Sequence, residues 1–354
     1  MPVAHEENPL SRKYSRPRPT FLAYSHRNDP LARGALLALK SSPMTNPRLF
    51  QTILCPVDFS DHSRQALSYA ALLASRSNGR LIVIFVEDPL LVAAAAVQYD
   101  EKTVVDKARK ELRRLAERAI GPYGMSVSSV TLDVAVGHPH EEIARTAERL
   151  GCDVIVMGTH GRTGANKLMF GSTTHRILAR SSLPVLATPP VGGTARGPAQ
   201  GWPGKLVIAP IDIGRGARAE AAAAAVVARE LGTRLELVHV VEPISGPVWL
   251  EIDADRRNLQ RQRRATAHLT QLQDELAGVA TAVRVESGKP ADEIAKIASS
   301  KHVSLVVMTR RRGQGLFGPR QGSISYEVLC KAHTPVLALP SDKAWMRRIV
   351  RRRA

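Results

Sequence analysis

The chain repeats itself, and the repeat limits what it can fold into. The apolar run 206–211, ending in Asp212, echoes 52–57, ending in Asp58. The run 235–241 with Glu242-Pro243 echoes 82–86 with Glu87-Asp88-Pro89. Gly288-Lys289-Pro290-Ala291-Asp292-Glu293-Ile294 echoes Gly137-His138-Pro139-His140-Glu141-Glu142-Ile143. Leu305-Val306-Val307-Met308 echoes Val154-Ile155-Val156-Met157, Gly322-Ser323 echoes Gly171-Ser172, and 334–338 echoes 183–187. The offset stays at roughly 150 residues, the mark of a duplicated domain rather than of short repeats. A chain of 354 residues is long enough for two domains, each with its own core.

Inside one copy, short apolar runs alternate with amphipathic stretches. Residues 52–57 read as a strand, and Ser60 or Asp61 is placed to cap the helix after it, which Asn78-Gly79 ends. Residues 80–86 are apolar without interruption beyond Arg80, as expected for a strand covered on both faces. A loop or short helix over 89–99 follows, then a charged helix over 102–119, a strand over 128–136, and a helix opened by Pro139 with Glu141 and Glu142. A strand at 154–157, a helix from Ser172 to about 179 and a short strand at 184–188 complete the unit. The order βαβαβαβαβ predicts a parallel sheet with right-handed crossovers, and ligands at the carboxyl ends of its strands.

The predicted organisation is a disordered extension over 1–48, a domain over 49–190, a linker over 191–204, a second domain over 205–340 and a basic tail over 341–354. Met44, just before the first strand, is the expected translation start. The formal net charge of +18 is concentrated visibly at both ends. With aromatics at 4%, the chain lacks the interleaved rings that single-strand nucleic-acid binders stack on. Nucleic acid is therefore a disfavoured partner. A basic scaffold holding nucleic acid or anionic membrane through its tails is the alternative reading of the charge. No apolar run reaches the roughly 18 residues that a membrane span needs. Three cysteines without a Cys-x-x-Cys pair fit a reducing cytoplasm and inert buried thiols. His138 and His140 flank a proline with no third ligand nearby, so they do not read as a metal site.

The stretch 154–172 carries the chemistry. A buried strand ends at Gly158, a glycine-rich loop with Arg162 and Lys167 follows, and Gly171-Ser172-Thr173-Thr174 opens a helix. Small residues let backbone approach a phosphate, and the N–H groups of a helix start can bind it. The spacing Gly158-x2-Gly161-x9-Gly171-Ser172, with Cys55-Pro56-Val57-Asp58-Phe59-Ser60 and the Gly137-x-Pro139-x-Glu141-Glu142-Ile143 run, resembles the universal stress protein family. The resemblance covers about 49–190 and 205–340. It implies two tandem open five-stranded parallel sheets flanked by helices, with strand order 3-2-1-4-5. It also implies pairing through the last strands: 184–188 and 335–339 would pair antiparallel within one chain as a pseudo-dimer, with association of whole chains into a homodimer left open.

For the ATP-binding members of that family, the resemblance implies ATP with Mg²⁺ as cofactor. Asp58 would then contact ribose or adenine. Val57, Val86 and Met157 would line the adenine pocket, and Gly158, His160, Gly161 and Arg162 would surround ribose and phosphates. Gly171, Ser172 and Thr173 would bind phosphate. Asp58 as a mere helix cap, Ser172 as a mere N-cap, and Arg162 and Lys167 as solvated charges stay open. The implied role is stress-response sensing, with slow ATP hydrolysis or autophosphorylation on Ser172 or Thr173 at most. In the second copy Thr309 and Arg312 replace the two glycines, with Arg310 and Arg311 between them. That predicts a degenerate nucleotide site, or else three arginines clamping a different anion. Gly313-x-Gly315-x-x-Gly318 reads as loop filling.

Overall fold

Apolar runs and amphipathic stretches settle into strands and helices in the predicted order. The computed structural model describes residues 49–95, 100–159, 171–191, 198, 201–244, 253–310, 323–340, 342 and 345. These fall within one unit, residues 44–354. The first repeat runs β1 (Thr52–Val57), α1 (Asp61–Ser77), β2 (Arg80–Glu87), α2 (Pro89–Ala95), α3 (Glu101–Ile120), β3 (Thr131–Val136), α4 (Pro139–Arg149), β4 (Val154–Gly158), α5 (Ser172–Arg180) and β5 (Val185–Thr188). The second runs β6 (Leu206–Pro210), α6 (Ala217–Glu230), β7 (Arg234–Val241), α7 (Ala254–Asp274), β8 (Thr281–Ser287), α8 (Pro290–Ala298), β9 (Val303–Arg310), α9 (Ile324–Lys331) and β10 (Val336–Pro340). The extension 1–48, the basic tail 346–354 and the loop residues His160, Gly161, Arg162, Lys167, Arg311, Arg312 and 313–322 lie outside the described residues.

Two local readings change and one is resolved between its alternatives. The third strand begins at Thr131 rather than at 128, because Val127–Ser129 form a 3₁₀ turn. The Ser126 hydroxyl accepts the Ser128 N–H, and the Ser129 hydroxyl donates to the Ser126 carbonyl at 2.7 Å. Serine side chains here compete with the sheet for backbone partners. The cap of α1 is Ser60, whose side chain accepts from Ser63 N–H; Asp61 stands in the first turn. The expected linker ends in an anchor: Trp202 is buried against Tyr69 of α1, edge to face at 5.0 Å, and its Nε1 donates to the Ser304 carbonyl at 2.8 Å. An indole can fill a core gap only if its N–H finds a partner, and here it does.

The sheet has ten strands in the order β3-β2-β1-β4-β5-β10-β9-β6-β7-β8. Each half keeps the order 3-2-1-4-5, all parallel, and the two five-stranded halves meet edge to edge in one sheet. Alternation along β2 explains the layering. Leu81, Val83 and Phe85 face one layer with Leu67 of α1 and Leu112 of α3. Ile82 and Ile84 face the other with Ile143 of α4. Ile53 and Leu54, adjacent on β1, are both fully buried, one in each layer. Each such side chain contributes about 1.5–3 kcal/mol on burial.

The halves join where β5 and β10 run antiparallel, with Val185 opposite Ala338, Leu186 opposite Leu337 and Ala187 opposite Val336. Leu186 and Leu337 are each other's counterparts in the duplication, so the junction is self-complementary. His175 of α5 meets Tyr326 of α9 edge to face at 6.2 Å across the same junction. Arg310, the last residue of β9, breaks the symmetry. It is buried, and its guanidinium donates to the carbonyls of Leu178, Ser181 and Leu183, the latter two at 2.9 Å. It thus caps the C-terminal end of α5, where carbonyls lack helical partners and the dipole favours a cation. The reading of Arg310 as one of three anion clamps is corrected: it is buried, and its Nη1 and Nη2 donate to carbonyls of the first repeat.

Two outcomes test this layout. Arg310→Met leaves buried carbonyls unpaired, so stability should fall by about 2–4 kcal/mol. The urea midpoint reads this, and an unchanged midpoint would refute the capping role. Burial pushes the Cys152 and Cys330 thiols up to about 11, and Cys55, enclosed on β1, further still. A raised thiol pKa means less thiolate: at pH 8 a group at 11 is about one part in a thousand ionised. The native protein should resist iodoacetamide at pH 8 and take up label at all three cysteines only in denaturant; fast native labelling, read by mass spectrometry, would contradict it.

Candidate functional site

In the order 3-2-1-4-5 the chain reverses direction across the sheet between β1 and β4, and their carboxyl ends form a crevice. Val57 ends β1 in the core, and half-buried Asp58 follows it. The backbone turns sharply there: Phe59 has φ +63°, and its ring tilts onto Phe85 at 4.6 Å. The Ser60 N–H and hydroxyl donate to Asp58 Oδ1 at 3.0 and 2.5 Å, and the Asp58 N–H donates to Ser63 Oγ at 3.2 Å. These bonds fix the carboxyl at the mouth of the crevice. Asp58 is therefore not the helix cap; Ser60 is.

Across the crevice, Met157 and Gly158 end β4, both buried. Thr174 of α5 donates its hydroxyl to the Gly158 carbonyl at 2.8 Å, holding the start of α5 against the end of β4. The Gly171 N–H donates to the Thr159 carbonyl at 3.0 Å, so the glycine-rich loop leaves and re-enters at one point. Gly171 is the N-cap of α5 and offers no side-chain cap; Ser172 is the first helical residue. The reading of Ser172 as a mere cap is thereby removed. Ser172 and Thr173 stand in the first turn of a helix whose N-cap, Gly171, supplies no side-chain acceptor to the leading N–H groups. Val86, near the end of β2, is half-buried beside this edge.

One glycine next to the crevice has a steric reason. Gly137 follows β3, and a Cβ there would lie 2.8 Å from Glu142 Oε1; Gly288 stands in the same relation to Glu293. Each glycine N–H donates to the end of the neighbouring strand, Gly137 to the Glu87 carbonyl and Gly288 to the Val241 carbonyl. The Gly-x-Pro-x-x-Glu pattern is thus a strand-to-helix joint in both repeats. His138 and His140 lie with ring centroids 6.5 Å apart at this joint. Burial first, then Arg176, depresses the His140 pKa, favouring a neutral ring. Among the described residues no group of three or more His, Cys, Asp or Glu is arranged to hold a metal.

The second repeat differs at the same edge. β9 continues through Thr309 to Arg310, where β4 stops at Gly158. Ser323 spends its hydroxyl as the N-cap of α9, accepting the Tyr326 N–H at 3.3 Å, a bond that Ser172 does not make. A cavity of about 770 Å³ nevertheless opens at the ends of β6, β7 and β9. Its walls include His239, Arg264 and His268, which the reading of the sequence missed. Leu112 and Ala116 of α3 match Ala265 and Leu269 of α7 in burial, a register that only the structure shows.

Residues 49–189 and 205–340 each match the model of the Universal stress protein family. Universal stress protein MJ0577 of Methanocaldococcus jannaschii is 29% identical over 155 residues, covering 39% of this chain and 94% of that protein. A universal stress protein of Mycolicibacterium smegmatis is 26% identical over 301 residues, covering 81% of this chain and 96% of that protein. The crystal structure of a universal stress protein from Archaeoglobus fulgidus superposes with a TM-score of 0.57 at 19% identity, over 82% of this chain and 99% of its own. At that identity the likeness concerns the fold. Among the described residues no helix is long and apolar enough to cross a membrane. Matched in both halves and folded in the same strand order twice, the chain belongs to the universal stress protein family.

Proposed function

We propose that the first repeat binds ATP and that the chain acts as a nucleotide-occupied regulator in stress response. The observation that carries this reading is the meeting of Asp58, Gly158 and the start of α5 at one crevice. A carboxylate accepts two sugar hydroxyls, a glycine lets the chain approach a phosphate, and a helix start without a side-chain cap favours negative charge. Val57, Val86 and Met157 supply the apolar contacts for the base. His160, Gly161 and Arg162 join them by position in the motif. Mg²⁺ would arrive on the triphosphate, held by phosphate oxygens. In the second repeat Thr309 puts a side chain where Gly158 has none, and Ser323 is engaged as a cap, which supports a single ATP per chain. The β5/β10 junction supports the further reading that the second repeat serves as a built-in partner for the first.

Slow hydrolysis or self-phosphorylation at Ser172 or Thr173 fits this site better than rapid turnover. In-line attack needs a positioned base, and Asp58, whose Oδ1 accepts from the Ser60 N–H and hydroxyl, is assigned to the sugar in this reading. The protein, purified without added nucleotide and then denatured, should release one ATP per chain. Asp58→Ala should weaken ATP binding by about tenfold or more, equivalent to about 1.4 kcal/mol. Gly161→Arg, which copies the second repeat, should abolish it. Release of no nucleotide together with no uptake of added ATP would overturn the proposal, and two ATP per chain would overturn its single-site form. Association with DNA that weakens steeply with salt and vanishes on removing 346–354 would favour the basic-scaffold alternative.

A further inference from the structure

The two outermost strands of the sheet, β3 and β8, each have a neighbour on one side only. They are counterparts in the duplication, since Gly137 and Gly288 follow them at the same joint. With those glycines aligned, Thr131-Leu132-Asp133-Val134-Ala135-Val136 lies on Ala282-Val283-Arg284-Val285-Glu286-Ser287. One pair of counterparts carries opposite charges, Asp133 and Arg284. An open edge is a template for further pairing, and a charge set on it decides which edge can pair.

Alternation fixes which backbone groups face outward. The Gly137 N–H donates to the Glu87 carbonyl of β2, and the Gly288 N–H to the Val241 carbonyl of β7. Residues two apart in a strand point their backbone groups the same way. Asp133 and Ala135 therefore bond to β2, while Leu132 and Val134 face outward. Likewise Arg284 and Glu286 bond to β7, while Val283 and Val285 face outward. With the edges antiparallel and outward residues facing each other, one register overlaps all six residues of β3 with β8. It sets Leu132 on Val285 and Val134 on Val283, pairs that exchange both backbone bonds. These four side chains pack against the same layer, so apolar meets apolar. On the other face Ala135 meets Ala282. Asp133 meets Arg284 in the non-hydrogen-bonded position, where side chains come nearest. Within one chain Arg149 lies 2.8 Å from Asp133, and Glu236 3.2 Å from Arg284. Across the contact Arg149, Asp133, Arg284 and Glu236 form a row of alternating sign. Two β3 edges centred on each other would oppose Asp133 to Asp133, and two β8 edges Arg284 to Arg284.

We infer that copies of this chain assemble head to tail, the β3 edge of one pairing antiparallel with the β8 edge of the next and Asp133 set on Arg284. The contact is heterologous, so one β3 edge and one β8 edge stay free at the ends and the series continues beyond two. The β5/β10 junction is antiparallel as well, so every first repeat along the array points the same way. The twist of the sheet makes the array helical rather than flat. None of this rests on nucleotide binding in the first repeat.

Sedimentation velocity of the full chain, from micromolar to millimolar protein, tests it. The net charge of +18 opposes contact between any two copies. The runs are therefore made at physiological salt, where charges more than about 8 Å apart are screened. The weight-average coefficient should rise with concentration and pass that of a dimer. Asp133→Arg and Arg284→Asp should each weaken association about tenfold, because each opposes like charges. An equimolar mixture of the two variants should recover it, since opposite charges then meet at both kinds of contact. Val134→Pro removes an outward N–H and leaves the bonds to β2 in place, so it should weaken association without either charge change. A monomer at every concentration would overturn the inference, as would growth that stops at a dimer. A mixture that associates no better than its components would overturn it as well, and so would Val134→Pro chains that associate like the parent.

Discussion

The antiparallel contact between β5 and β10 is the constraint on which the molecule depends. A parallel five-stranded sheet with helices on both faces still has two open edges, each a row of unpaired backbone groups. Here one edge of each half is closed by the other, with Leu186 set against Leu337. The duplication makes this cheap in sequence terms, because a surface that is complementary to itself needs only to be copied. Both flanking layers then extend across the junction, and α5 and α9 meet over it through His175 and Tyr326.

Symmetry at the junction coexists with asymmetry at the strand ends. At Gly158 the first repeat stops its strand early and lets the chain loop away. The second repeat has Thr309 in place of Gly158 and extends its strand by one residue, Arg310. Arg310 would carry an uncompensated buried charge if it did not meet the α5 carbonyls; with them, it fixes the end of α5 remote from the crevice. The residue thus spans both stories: it secures the helix whose other end faces the first crevice, and it withdraws a cation from the second.

How much of this was legible beforehand can be argued element by element. The strands and most helices were, because β2 is a run that only a doubly covered strand tolerates and because Ser60, Asn78 and Pro139 punctuate helices by their own stereochemistry. The start of β3 was not, since the serines at 126–129 bind backbone locally in a way that apolar patterning does not register. Trp202 was hidden in a glycine- and proline-rich stretch that reads as linker by composition. Of the candidate site, Asp58, Met157, Gly158, Gly171 and Ser172 were readable from motif spacing, and the structure brings them to one crevice. The wall of the second cavity was not readable, because Arg264 and His268 look like any charged helix until α7 is seen to lean over the end of β7.

The sequence by itself determined the alternation of strand and helix, the duplication, and which residues would gather at the strand ends. These follow from periodicity and local stereochemistry, which act over a few residues. Tertiary structure alone decided the fate of the arginines and histidines. Arg310 became a helix cap and Arg264 part of a cavity wall because of which surface each was packed against. A charged side chain takes its role from its partners, and those partners lie far away in the chain.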